Sequence, residues 1–132
     1  ANALPDKLTQ DPRVVIMDNT NARNLSPSDF AEKADFITID VSFISLTLIL
    51  PIALKLLKDD GRVIALVKPQ FEVGRKNLAK NGVVKTVKAR ENALKSVISA
   101  AANCGLQYLG SVEAPQLFEE KNIEYLALFS KK

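Results

Sequence analysis

The chain has 132 residues, of which 47% are hydrophobic and 25% are charged, and this composition suits one globular domain with a buried core rather than a disordered segment. It contains no histidine, which excludes Ser-His-Asp triads and histidine metal sites and leaves Lys, Asp, Glu and Tyr for proton transfer. The single cysteine, Cys104, excludes an internal disulfide and a cysteine-rich zinc site, so we expect a cytoplasmic protein in which Cys104 is a half-buried thiol at a helix end.

Short apolar runs rich in Val, Ile and Phe alternate with longer segments of helical periodicity, which is typical of an α/β fold with a parallel sheet. We predict five strands, at residues 13–17, 35–40, 62–68, 107–113 and 124–130. Between the first two strands, Ser26 with Asp29 three residues later predicts a capping box and a short helix. No repeat or flexible linker interrupts the sequence, so we predict one domain.

Two longer helices are predicted from apolar spacing and from the residues that end them. The first covers residues 46–57 and ends at Asp59-Asp60-Gly61, and the second covers residues 86–103 and ends at Gly105. The connection at residues 114–122 has little helical signal. The last two strands are therefore expected to pair as an antiparallel hairpin.

Two charged residues end strands of the predicted sheet, since Asp40 closes the second strand and Lys68 closes the third. Reactive groups in open α/β sheets gather beyond the carboxyl ends of the strands. If these two strands are neighbours, about 5 Å apart, the two side chains can hydrogen-bond. Each residue also has a simpler interpretation. Asp40 can be a helix N-cap or a turn residue, a task that Ser42 and Ser45 can share, and Lys68 can be a solvated lysine before Pro69.

The most basic part of the chain, here called the basic segment, comprises residues 68–90. It carries seven Lys and Arg residues against one acid, and the polar loop at its start is longer than a minimal connection. A phosphate-rich partner such as RNA is the natural inference, with contacts from Arg75, Lys76 and Lys80. The alternative is an ordinary solvated face, because Phe71 is the one aromatic residue in the loop.

Glu124 begins the last predicted strand. If that strand runs antiparallel beside the strand that ends in Lys68, its first residue reaches the same edge of the sheet. Three titratable side chains, Asp40, Lys68 and Glu124, would then converge. The alternative is an exposed carboxylate at a strand end.

Several strings of residues resemble, in this order, the TlyA (hemolysin A) branch of the FtsJ-like RNA methyltransferases. They are Asp11-Pro12-Arg13-Val14, Thr20-Asn21-Ala22-Arg23, Asp40-Val41-Ser42-Phe43-Ile44-Ser45, Lys68-Pro69-Gln70-Phe71-Glu72 with Gly74-Arg75, Gly82-Val83-Val84 and Asn122-Ile123-Glu124-Tyr125-Leu126. The resemblance spans essentially the whole chain, and the strings that begin at Asp40 and Lys68 are specific.

This resemblance implies a Rossmann-like sheet of the S-adenosylmethionine-dependent methyltransferases, partial here and with an antiparallel last strand. It also implies an enzyme that methylates ribose 2'-hydroxyls of ribosomal RNA through a Lys-Asp-Lys-Glu tetrad, whose last three members match Asp40, Lys68 and Glu124. Lys68 would then stand at the hydroxyl, and the two carboxylates would orient it. Contacts to S-adenosylmethionine are expected from Asp18, Asn19, Asn21 and Asp40.

The sequence also departs from this family. A full-length relative carries an S4-type RNA-binding module, the first lysine of the tetrad and a glycine-rich turn for the methyl donor, none of which is found here, and residues 114–120 lack a glycine usual before the last strand. We therefore expect residues 1–132 to be the C-terminal portion of an FtsJ-like methyltransferase domain, inactive or nearly so alone. The family's sheet would have a gap between strands 13–17 and 35–40, and we expect it to be closed by direct pairing, by another copy of the chain, or by the rest of a longer protein.

The expected function is 2'-O-methylation of ribosomal RNA, with ribosomal RNA or ribosomal subunits as partners. One rival is a non-catalytic RNA- or ribosome-binding module that keeps the basic segment. A second is methyl transfer to a base amine, which Lys68 in place of an Asn-Pro-Pro-Tyr type motif opposes. Hemolysis, which the family's name suggests, and any membrane partner are disfavoured, because the longest apolar stretch, residues 43–57, is interrupted by Pro51 and Lys55 and is too short to cross a bilayer.

Overall fold

The computed structural model describes residues 4–116 and 122–132. Its helices and strands, in chain order, are α1 (Asp6–Thr9), β1 (Ala34–Ile39), α2 (Leu46–Leu56), β2 (Leu57–Val67), α3 (Val87–Cys104), β3 (Leu106–Glu113) and β4 (Tyr125–Lys131). Short 3-10 helices lie at Ala22–Asn24, Pro27–Asp29, Pro69–Phe71 and Arg75–Asn77. The predicted capping box is present at the second of these, where Asp29 accepts a hydrogen bond from the backbone amide of Ser26 at 2.8 Å.

The strands form one sheet in the order β1-β2-β4-β3. Strands β1 and β2 are parallel, whereas β4 runs antiparallel to both β2 and β3. The predicted α/β class, the antiparallel last strand and the pairing of the last two strands are therefore confirmed. Part of their connection, residues 117–121, lies outside the described residues, so the prediction about residues 114–122 is tested only in part.

Helices α2 and α3 contact each other and cover one face of the sheet. Alternate residues of the central strands point to these helices and are fully buried, namely Val63, Ala65, Val67, Ala127 and Phe129. The residues between them, such as Ile64 and Leu128, are half-buried. The pattern follows from the strand period of two, which sends successive side chains to opposite faces.

Both long helices begin and end close to the predicted residues. The side chain of Ser45 caps α2 by accepting a hydrogen bond from the Thr47 amide at 3.1 Å, and Thr86 caps α3 in the same way through the Ala89 amide. Gly105 ends α3 with a φ of 115°, a left-handed conformation that glycine adopts without a steric penalty. Cys104 is a half-buried thiol at this helix end, as expected.

The predicted strand at residues 13–17 is wrong. The structure has no regular element there, and Val15 is 83% exposed. The backbone amide and guanidinium of Arg13 instead bond to the Asp11 carboxylate, which forms a local turn. An apolar run becomes a strand only where a neighbouring strand pairs with its backbone, and among the described residues none lies beside it.

The predicted role of Asp59-Asp60-Gly61 as the turn that ends this helix is also wrong, because α2 ends at Leu56 and these three residues lie within β2. The register between β1 and β2 is irregular here, since Ala34 pairs with Leu57 whereas Phe36 pairs with Arg62. Gly61 belongs to this irregularity and lies so close to β1 that a Cβ atom on it would be 3.0 Å from the Asp35 carbonyl oxygen. The turn-forming residues thus make a bulge rather than a loop.

Strand β1 pairs with β2, and its other edge has no partner among the described residues. The gap expected beside residues 35–40 is thus not closed by direct pairing with residues 13–17, and that alternative is wrong. The other two alternatives, and the assignment of residues 1–132 to the C-terminal portion of a methyltransferase domain, stay predictions. No helix among the described residues is both long enough and apolar enough to span a bilayer.

Candidate active site

An ion pair lies at the carboxyl ends of the two parallel strands. Asp40 follows β1 directly and Lys68 follows β2 directly, so both emerge at the same edge of the sheet. Lys68 Nζ is 2.7 Å from Asp40 Oδ1 and donates to Ser42 Oγ at 3.1 Å. The Lys68 side chain is only 14% exposed, whereas that of Asp40 is 68% exposed. The predicted pair is present. Asp40 is not the helix N-cap, because Ser45 caps α2, and Lys68 is not a solvated lysine, because its side chain is largely withdrawn from water.

Glu124 lies at the same edge but bonds to a different residue. Val67 pairs with Tyr125 across antiparallel strands, so the register carried one step further sets Glu124 opposite Lys68. Its carboxylate accepts a hydrogen bond from Gln70 Nε2 at 2.8 Å, and within the described part of the chain Lys68 forms its ion pair with Asp40 alone. The register thus brings Glu124 to the edge that carries Lys68, but the direct contact of Lys68 is with Asp40, and the convergence of all three side chains stays a prediction.

The two loops that carry Asp40 and Lys68 are joined by Glu72. Its carboxylate accepts hydrogen bonds from Ser45 Oγ at 2.6 Å and from the Leu46 amide at 2.8 Å. Burial raises the pKa of Glu72, although these two hydrogen bonds act in the opposite direction. A carboxylate at the first turn of α2 also interacts favourably with the helix dipole, so the loop after β2 stabilises the start of the helix after β1.

Phe43 projects from the first of these loops. Its ring is 90% exposed and lies 4.9 Å, centroid to centroid, from the ring of Phe71 in the second loop. Its φ of 63° lies in the left-handed region, which is unfavourable for a residue with a large side chain. An exposed aromatic ring on a strained backbone beside an ion pair is a candidate for ligand contact.

The basic segment is held against the start of β4. Asn122 accepts a hydrogen bond from the Val84 amide at 2.8 Å and donates one to the Gly82 carbonyl at 3.0 Å. Arg90 Nε donates to the Tyr125 hydroxyl at 3.1 Å. With the bond from Gln70 to Glu124, side chains at the start of β4 therefore hold the segment near its beginning, middle and end.

The cations predicted to contact RNA lie on the outside of this segment. Arg75 and Lys76 belong to a 3-10 helix, and both are exposed, as is Lys80. All three are therefore exposed where a polyanion can reach them, while the segment that carries them is fixed by internal hydrogen bonds.

An open cleft of about 400 Å³ lies between residues 72–77 and the first half of α3. Its lining is mostly polar and includes Glu72, Asn77, Lys88 and Asn92. None of Asp40, Lys68 and Glu124 contributes to it, so the cleft and the edge that carries the ion pair are separate features.

The sequence profile of the FtsJ-like methyltransferases matches residues 1–131, which is nearly the whole chain. The chain belongs to the FtsJ-like methyltransferase family. Its relatives include YqxC of Bacillus subtilis, provisionally named an rRNA methyltransferase, which is 46% identical over 126 residues that cover 95% of this chain and 45% of YqxC. TlyA of Mycobacterium tuberculosis, named a 16S/23S rRNA (cytidine-2'-O)-methyltransferase, is 36% identical over 118 residues that cover 89% of this chain and 44% of TlyA.

A solved structure shares the fold of this FtsJ-like chain closely. A protein of Streptococcus thermophilus, provisionally named a hemolysin, superposes with a TM-score of 0.92 and 44% identity, over 100% of this chain and 48% of that one. The chain thus spans about half the length of the relatives it matches. The predicted family and fold class are confirmed.

The residues predicted to contact the methyl donor lie mainly on the segment before β1. Asp18, Asn19 and Asn21 are all exposed, and Asn19 has a φ of 54°. The side-chain oxygen of Asn21 accepts a hydrogen bond from the Arg23 amide and so caps the first 3-10 helix. Asn21 therefore has its amide NH2 left for a ligand, whereas the Asp18 carboxylate and Asp40 can both accept hydrogen bonds.

Several residues of this site, Glu72 among them, were not predicted from the sequence as functional. Phe43 and Gln70 lie inside the two specific strings, and Asn122 begins the last one, yet nothing in their spacing indicated a contact. Gln70 and Glu124 are 54 positions apart, so only the register of β2 against β4 brings them together.

Proposed function

We propose that this chain forms the catalytic edge of an S-adenosylmethionine-dependent methyltransferase that acts on ribose 2'-hydroxyls of ribosomal RNA. The observation that carries the proposal is the 2.7 Å pair of Lys68 with Asp40 at the carboxyl ends of parallel strands, the edge where α/β folds place reacting groups. The name of the TlyA relative supports the choice of substrate.

A ribose hydroxyl is a poor nucleophile, so the site must hold it in line with the methyl group and accept the proton that it loses. S-adenosylmethionine, when bound, supplies a methyl group on a positively charged sulfur. Lys68 Nζ contacts the 2'-oxygen and stabilises the charge that develops there, while Asp40, 2.7 Å away, holds the amine in place. The hydroxyl proton passes to Nζ as Nζ gives one of its own protons to the Asp40 carboxylate. Glu124, opposite Lys68 in the strand register, is the second carboxylate that orients the lysine.

The residues proposed to bind the donor fit it in part. Asp18 and Asp40 are exposed carboxylates that suit ribose hydroxyls and amino groups, and Asn19 is exposed beside Asp18. Asn21 is a weaker candidate because its oxygen already caps a helix.

The RNA is proposed to lie along the basic segment. Arg75, Lys76 and Lys80 would contact phosphates, and Phe43 would stack on a base near the ion pair, since its ring is exposed. A ribosomal substrate and a lone thiol support a cytoplasmic location. The edge of β1 that has no partner among the described residues supports pairing with a further strand, from a second copy of the chain or from another segment of the same protein.

The test is a chimera, here called the TlyA chimera, in which this chain replaces the matching part of the Mycobacterium tuberculosis enzyme. We expect it to transfer methyl groups to ribosomal RNA, and we expect Lys68→Ala to lower the rate by about 100-fold or more. Lys58→Ala is the matched control, because Lys58 also pairs with an aspartate, Asp35 at 3.0 Å, but at the other end of β1. Normal turnover of the Lys68→Ala chimera would remove Lys68 from the reaction. RNA binding without any transfer by the parent chimera would favour the non-catalytic RNA-binding module.

A further inference from the structure

The amide of Gln70 is bonded on one side only. Gln70 lies in the 3-10 helix Pro69–Phe71, two residues after Lys68, and its Nε2 donates to Glu124 Oε2 at 2.8 Å. Its Oε1 is buried and has no hydrogen-bond partner among the described residues. A buried amide oxygen without a donor is unfavourable, so its presence calls for a reason.

The charge on Glu124 supplies that reason. Rotation of the amide by 180° would bring Oε1 to the position of Nε2 and set two acceptor oxygens about 2.8 Å apart. The carboxylate therefore fixes which end of the amide faces it, and the other end has no partner in the described part of the chain. Gln70 thus donates a hydrogen bond to Glu124 while its own buried oxygen accepts none among the described residues. A residue that only stabilised the fold would be expected to have both ends of its amide bonded.

We infer that Gln70 is a positioning residue that holds the Glu124 carboxylate toward Lys68. The bond to Oε2 fixes the side chain of Glu124, whose place in the register is opposite Lys68, and leaves Oε1 of that carboxylate for the reacting centre. This inference rests on the proposed function, because positioning Glu124 matters for rate only if Glu124 takes part in methyl transfer.

The first experiment tests whether Gln70 positions the Glu124 carboxylate or only stabilises the fold. Gln70→Met keeps the length of the side chain and removes both the donor and the unpaired oxygen. In the TlyA chimera we expect kcat to fall by about 10- to 100-fold with KM for ribosomal RNA within about twofold. In the 132-residue chain we expect the melting temperature to stay within about 2 °C or to rise. Gln107→Met on β3 is the matched control and should change neither quantity. A fall of more than about 5 °C in the melting temperature of the Gln70→Met variant would show that Gln70 stabilises the fold, and it would overturn the inference.

A double-mutant cycle tests whether Gln70 acts through Glu124. Single-turnover rates with enzyme in excess keep slow variants measurable. If Gln70 works only by holding that carboxylate, Gln70→Met should have less than about a twofold effect in the Glu124→Ala background. Independent losses that multiply would overturn the inference.

A third measurement does not depend on catalysis and therefore separates failure of this inference from failure of the proposed function. In the 132-residue chain, Glu124→Ala should move the side-chain amide resonances of Gln70 in a ¹⁵N–¹H spectrum, since its acceptor is removed. The resonances of Gln107 should stay in place. An inactive parent chimera would count against the proposed function, whereas unmoved Gln70 resonances would overturn the contact itself.

Discussion

The Glu72 carboxylate accepts a hydrogen bond from the backbone amide of Leu46 at 2.8 Å, across 26 positions of sequence. The loop that follows β2 thereby supplies a cap to the helix that follows β1. Because Asp40 and Lys68 lie on the two loops joined in this way, their separation depends on this contact as well as on the strand register.

We expect Glu72→Ala to destabilise the fold by about 1–2 kcal/mol, the usual cost of removing a helix cap. The free energy of unfolding in urea measures this effect. Glu91→Ala, an exposed position on α3, is the control and should change stability by less than about 0.5 kcal/mol. Equal unfolding midpoints for the two variants would contradict a capping role for Glu72.

The raised pKa of Glu72 predicts a pH dependence with a definite sign. Burial makes the folded state bind the Glu72 proton more tightly than the unfolded state, so the contribution of this residue is fully present below its ordinary pKa of 4.5 and declines as pH rises through the raised value. Glu72→Gln, which does not titrate, should therefore gain stability relative to the parent chain as pH rises through that window. Urea unfolding of both proteins between about pH 4 and about pH 7 measures the difference. A constant or opposite trend would contradict the prediction.

The exposed ring of Phe43 should contribute more to RNA binding than to the stability of the fold. Phe43→Leu keeps an apolar side chain but loses the flat face, so we expect ribosomal RNA to bind about tenfold more weakly and the fold to lose at most about 1.5 kcal/mol from the contact with Phe71. Filter binding and urea unfolding measure the two quantities. Phe30→Leu is the control, because Phe30 is also exposed and lies outside both loops. A matching loss of affinity in the control would exclude stacking at Phe43 as the cause.

The basic segment should set the salt dependence of RNA binding. Replacing Arg75, Lys76 and Lys80 together by alanine should flatten the slope of log Kd against log salt by about 2 to 3, since each phosphate contact contributes about 0.7–0.9. A second triple variant, in which Lys7, Lys33 and Lys55 become alanine, removes the same charge elsewhere. Equal slopes for the two triple variants would show that only net charge matters.

Gly61 tests the irregular register between β1 and β2. A Cβ atom on Gly61 would lie 2.5 Å from Leu57 Cδ1, and Leu57 is fully buried. We expect Gly61→Ala to destabilise the fold by about 1–3 kcal/mol through overpacking. Leu57→Ala should then lower the stability by less in the Gly61→Ala background than in the parent chain. Thermal unfolding of the four proteins measures this difference. An additive cycle would mean that the two side chains do not compete for space.

Local sequence signals determined much of the fold and part of the site. Thr86 and Gly105 bound α3 as predicted, because capping and left-handed backbone depend on a few neighbouring residues. The pairing of Asp40 with Lys68 was predictable because parallel strands bring their carboxyl ends to one edge, so the place of each residue in its own strand was enough.

Tertiary structure decided the remainder. The apolar run at residues 13–17 has the composition of a strand, but no strand in the described part of the chain lies beside it. The run Asp59-Asp60-Gly61 has the composition of a turn but lies in a bulge of β2. The bonds from Glu72 to Leu46 and from Gln70 to Glu124 join positions 26 and 54 residues apart. Sequence by itself sets which residues can bond and which elements form locally. Only the register of the strands sets which distant side chains meet, because a shift by one residue sends every side chain of a strand to the other face.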